Sequence, residues 1–225
     1  MASGAIKIAG LLGLCCAAST AMAQQLEPWE QYVYQHSGSG NFSYTTEAEY
    51  GDEVVIPAHS MSGVQWVITG FSFEYAANYA LPAGLTFRIY EQNGVPISGF
   101  ASPGTEIYET SVDITSGGGV VNIDFAYDAS NVLPNRLTYT VQFSGLLPGN
   151  TAGLIIPGGS PVVGSSSNDF WERTGSGAND WALKAFNPGS PSANFVATIT
   201  AVPEPGTVAM MVAGAGMVLV ALRRK

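Results

Sequence analysis

The middle of this 225-residue chain predicts an all-β fold, an antiparallel β-sandwich or jelly roll, on three observations. Apolar residues recur with period two. Turn-forming residues separate the runs, and no stretch between about residues 40 and 200 sustains a helical 3.6-residue period. Period-two alternation over short segments marks half-buried strands with one wet face.

In chain order, Phe71, Phe73 and Tyr75 flank Ser72 and Glu74, and Leu85, Phe87 and Ile89 flank Thr86 and Arg88. Tyr108, Thr110, Val112 and Ile114 face away from Ile107, Glu109, Ser111 and Asp113. Val121, Ile123 and Phe125 alternate with Asn122 and Asp124, and Leu137, Tyr139, Val141 and Phe143 with Thr138, Thr140 and Gln142. Between these runs stand Asn93-Gly94, Ser102-Pro103-Gly104, Ser116-Gly117-Gly118-Gly119, Leu133-Pro134-Asn135 and Pro148-Gly149-Asn150, residues suited to positive φ or a proline corner. The Gly-rich turn is not a phosphate loop, because Val120-Val121-Asn122-Ile123 reads as a strand where that loop needs a helix. Roughly ten short strands at hairpin spacing fit a sandwich. Residues 35–40 read as a flexible lead-in, and 157–168, rich in Gly, Ser and Pro, as a long surface loop.

Both ends differ from the middle. Residues 1–23 carry one early cation, Lys7, then an apolar run over 8–18 and Ala21-Met22-Ala23 before Gln24. That order predicts a secretory signal peptide cleaved after Ala23, with Ala21 and Ala23 as its small-x-small site. Leu14 precedes Cys15, so lipidation is not expected, and cleavage leaves a mature chain without cysteine. At the other end, Val202-Pro203-Glu204-Pro205 is stiff and extended, since each proline fixes φ and turns its predecessor away from helix. Residues 206–222 are uncharged and mostly apolar, just long enough for a single transmembrane helix. Arg223, Arg224 and Lys225 then form a membrane stop that stays cytoplasmic. The expected organisation is a signal peptide at 1–23, a secreted domain at 24–201 and a tail at 202–225.

Charge narrows the function classes. The whole chain carries −9, and residues 24–201 hold four cations against sixteen acids, a net of −12. Such a surface repels phosphate backbones, so no nucleic-acid partner is expected. It is compatible with Ca²⁺, but there is no D-x-[DN]-x-[DN]-G loop, and no cofactor or metal is expected. His36 and His59 read as solvated loop residues without a G-x-S-x-G partner. Glu47, Glu49, Asp52 and Glu53 read as an exposed loop and strand edge, and nothing singles out a glycosidase pair. The expectation is therefore no enzyme, with a secreted glycan hydrolase as the weakest alternative. Trp171 and Trp181, set among Asn, Asp and Gly, leave two readings open: core packing, the favoured one, or exposed rings for glycan contact in a carbohydrate-binding module.

The tail resembles the PEP-CTERM sorting signal of Gram-negative bacteria, which joins a Pro-Glu-Pro motif, a short transmembrane segment and a basic end. The resemblance implies recognition at Val202, Pro203, Glu204 and Pro205 by an exosortase, a membrane cysteine protease, and removal of the hydrophobic tail. It further implies an inner-membrane-anchored precursor that reaches the cell surface or extracellular matrix, where such proteins accompany exopolysaccharide and biofilm.

Overall fold

The computed structural model describes residues 31–36, 42–46, 48–57, 65–78, 83–126, 131–157, 161–173, 175, 177, 180–187 and 192–204. The chain divides into two units, Met1–Glu30 and Gln31–Lys225, and every described residue lies in the second. The signal peptide with Ala21 and Ala23, Trp29, Glu47, His59, Pro205, the apolar segment 206–222 and Arg223, Arg224 and Lys225 lie outside the described residues. Among the described residues no helix is long and apolar enough to cross a membrane.

The described fold is all-β. Its strands are β1 Gln31–His36, β2 Phe42–Thr45, β3 Tyr50–Val55, β4 Trp66–Asn78 and β5 Ala83–Glu91. They continue with β6 Pro96–Ile97, β7 Phe100–Ala101, β8 Glu106–Ile114, β9 Gly119–Asp124 and β10 Val132–Leu133. The last five are β11 Arg136–Ser144, β12 Thr151–Ile156, β13 Phe170–Arg173, β14 Trp181–Lys184 and β15 Ala197–Pro203. Fifteen strands exceed the ten or so expected partly because β6, β7 and β10 have two residues each, too few to show alternation.

The long strands form two antiparallel sheets. One follows the order β1-β15-β4-β12-β2, with β9 and β10 also paired to β4, and the other runs β14-β13-β3-β11-β5-β8. Their apolar faces meet through aromatic rings. Phe71 on β4 lies 4.7 Å from Phe87 on β5 and 4.9 Å from Tyr139 on β11, and Tyr44 on β2 lies 5.1 Å from Tyr50 on β3. These pairs sit at the separations aromatic rings favour, and they belong to one continuous core. The result is a β-sandwich. β4 is its hub, pairing with β15, β12, β9 and β10.

The expected alternation holds on the β5 and β8 side, where Leu85, Phe87 and Ile89 are buried and Glu109, Ser111 and Asp113 exposed. The glycine turn also holds. Gly118 has φ of +99°, and a Cβ there would press on the Tyr75 carbonyl, so both conformation and space require glycine.

Two lead-in and loop expectations are corrected. Gln35 and His36 belong to β1, paired to β15, and His36 is buried rather than solvated. Its neighbours in the ladder, not the Ser- and Gly-rich sequence that follows it, decide its environment. The segment 161–168 is pinned at both sheets: Val163 bridges to Gln35 and Ser165 to Val55. It thereby carries Ser166 and Ser167 to the carboxylates of β3.

Candidate functional site

β15 positions the first residues of the proline motif. Through Ala201 it is hydrogen-bonded on both edges, by β1 and by β4, with Ile199 opposite Tyr34 on one side and Phe71 on the other. The inward alternation of Ala197, Ile199 and Ala201 seats the strand in the core. A bulge between Thr200 and Ala201 shifts the register against β4. Beyond it Val202 pairs with Val67 and Pro203 with Trp66, and Val202 is 9% exposed. Pro203 has no N–H to extend the ladder, which fits its place as the last residue of the strand. The Glu204 N–H nevertheless donates to the Gln65 carbonyl at 3.0 Å. Trp66 itself is fixed by a 3.0 Å bond from Nε1 to the Pro57 carbonyl. The sequence expected stiffness here from the prolines alone; strand pairing supplies the rest for residues 202–204.

The second cluster lies on the outer face of the six-stranded sheet, where a wet surface was expected. Trp171 is 0% exposed and Trp181 6% exposed. They pack with Tyr90 as a small second core, joined by Ile97 and Leu183. Sugar stacking needs an open ring face, and neither ring offers one. The glycan-contact reading of Trp171 and Trp181 thus loses the exposure that motivated it. Arg173 covers Trp181, its guanidinium carbon 5.4 Å from the ring centre.

Beneath these rings lie the carboxylates expected at an exposed edge. Glu49 and Glu53 are buried, because Trp171, Trp181, Tyr90 and the 161–168 segment roof this part of the sheet. Glu49 accepts from Tyr90 Oη at 2.8 Å and Thr140 Oγ1 at 2.7 Å on one oxygen. Its other oxygen accepts from Arg173 Nη1 at 3.0 Å and lies 3.3 Å from Arg88 Nη1. Glu53 accepts from Ser167 Oγ at 2.6 Å and Gln92 Nε2 at 2.7 Å, with Arg136 Nη1 at 3.6 Å. Glu49 immediately precedes β3 and Glu53 lies within it, four residues on, about 13 Å along extended backbone. Their donors tie β3 to β5, β11, β13 and the 161–168 segment, which is the chemistry of a structural clamp.

Asp52 points the other way, into the sandwich between Tyr50 and Val54. It is 0% exposed. Ser166 Oγ donates to Oδ1 at 2.8 Å and the Phe195 N–H to Oδ2 at 3.4 Å. Burial holds its carboxyl well above the usual range, and Glu53 and Asp169 add to the rise against those two hydrogen bonds. The folded protein therefore keeps this proton to higher pH than the unfolded chain does. The stability Asp52 contributes is full below the unfolded value of about 3.9 and is lost as pH rises through the folded value. Asp52→Asn retains an acceptor for Phe195 and does not titrate. It should be at least as stable as wild type at pH 8, with the difference shrinking toward pH 4. Each unit of pKa separation is worth about 1.4 kcal/mol of that difference. Urea unfolding across this range is the measurement, and parallel pH profiles for the two proteins would refute the assignment.

A family model of the PEP-CTERM protein-sorting motif matches residues 201–225. The chain carries a PEP-CTERM sorting motif. No curated protein and no solved structure matches the chain. The PEP-CTERM motif implies an exported protein that is membrane-anchored before processing by an exosortase. Of the residues expected to be recognised, Val202 and Pro203 are placed by β15 against β4 and Glu204 by its bond to Gln65, while Pro205 lies outside the described residues. The matched region and the last strand overlap from residue 201 to 203. The sequence offered a hint of this in Ala197-Thr198-Ile199-Thr200-Ala201, which alternates up to the motif without a turn.

Proposed function

We propose that this is a non-enzymatic surface or matrix protein, delivered through its PEP-CTERM motif and serving a structural or adhesive role beside exopolysaccharide. The observation that carries the reading is the motif itself, joined directly to the final strand of a β-sandwich. The carboxylate arrangement supports a structural role, since both oxygens of Glu49 and of Glu53 are engaged by donors of the same domain. The apolar segment 206–222 anchors the precursor in the inner membrane, and Arg223, Arg224 and Lys225 hold its end in the cytoplasm. Export begins at the signal peptide, cut after Ala23.

Glu204→Ala tests the sorting step. In a bacterium that processes PEP-CTERM substrates, the wild-type chain should run shorter by its tail and leave the membrane fraction. The variant should remain at precursor size in the membrane. A blot showing the same size and location for both would overturn the reading.

A further inference from the structure

We infer that processing leaves β15 whole: the chain is cut C-terminal to Pro203, so that Ala197–Pro203 stays with the folded domain. The inference rests on the sorting reading above and adds the placement of the cut.

A protease binds its substrate as extended backbone with free edges. From Ala197 to Ala201 both edges of β15 are taken, one by β1 and one by β4. Ala197, Ile199 and Ala201 are buried in the core shared by the two sheets. Exposing a central strand of this kind costs a large share of the global unfolding free energy. Val202 and Pro203 remain paired to Val67 and Trp66, and the Glu204 N–H is bonded to Gln65. Through Glu204 the backbone is thus held to the sheet by these bonds.

The product gives a second argument. A cut before Val202 would leave Trp66 and Val67 without their partners on this edge, and a cut earlier in β15 would remove the strand that, among the described residues, joins β1 to its sheet. A cut C-terminal to Pro203 leaves every strand pair of the described sheet intact, and one beyond Glu204 keeps the bond to Gln65 as well. In that step the scissile C–N bond breaks and the carbonyl carbon bonds to a water oxygen or to the nitrogen of an acceptor amine. The departing nitrogen takes up a proton and becomes the amino terminus of the released tail.

The test is the mass of the mature protein. The full chain is expressed in a bacterium that processes PEP-CTERM substrates, captured with an antibody to the folded domain, and its C-terminal peptide identified by mass spectrometry. The expected C-terminal residue is Pro203 or a later one. A processed chain ending at or before Val202 would overturn this inference and leave the sorting reading standing. A chain that still carries residues 206–225 would overturn both.

Discussion

A chain of residues 24–196, which lacks β15 and everything after it, is expected not to fold. Ile199 is fully buried between the sheets, and losing an aliphatic side chain of that kind costs about 2–5 kcal/mol by itself. The deletion also removes Ala197, Ala201 and Val202 from the core and strips β1 of the strand that attaches it. β4 loses its β15 edge, paired from Trp66 to Phe73, and keeps only β9 and β10 opposite that stretch among the described strands. The sum is comparable with the whole stability of a domain, about 5–15 kcal/mol. A chain of residues 24–204 keeps all of these pairs and should unfold cooperatively in urea. Circular dichroism during urea titration separates the two cases. A cooperative transition of the 24–196 chain near the midpoint of the longer one would show that β15 is dispensable.

The sandwich was legible because its inward positions obey a simple period. Leu137, Tyr139, Val141 and Phe143 are all buried, as their alternation demands. The same pattern misleads on the other face. Thr138 and Thr140 hold the polar positions of that strand, yet both are buried as deeply as their apolar neighbours. Period two reports which face is apolar; it does not report whether the other face is wet. A second layer decides that, and its members come from distant positions: Tyr90, Ile97, Ser167, Trp171 and Trp181. For the same reason Asn168 and Asp169 beside Trp171 suggested exposure, although sequence neighbours do not determine what covers a ring. The motif at the C-terminus is legible because local backbone chemistry and residue order define it. Its attachment to β4 is not legible, since the Pro203–Trp66 pairing joins positions far apart in the chain.

Glu49→Ala should lower stability by about 3 kcal/mol, toward the low end of the range for breaking a buried ion pair. Glu49 is where β3, β5, β11 and β13 are tied together, through Tyr90, Arg88, Thr140 and Arg173. Alanine would leave two guanidinium groups without this carboxylate and two hydroxyl donors without their acceptor. The arginines are not fully buried, with side-chain exposures of 16% for Arg88 and 24% for Arg173, so water recovers part of the loss. Arg173 would also lose the anchor that holds it over Trp181. Glu49→Gln separates charge from shape, because the amide fills the same space and its oxygen still accepts a hydrogen bond. It should cost less than alanine, about 1–3 kcal/mol, with the penalty coming from the donors that now meet an NH₂ group. Urea midpoints for both variants measure the pair of effects. If alanine and glutamine shift stability by less than about 1 kcal/mol each, Glu49 is a surface charge in solution and the second layer over β3 is not closed.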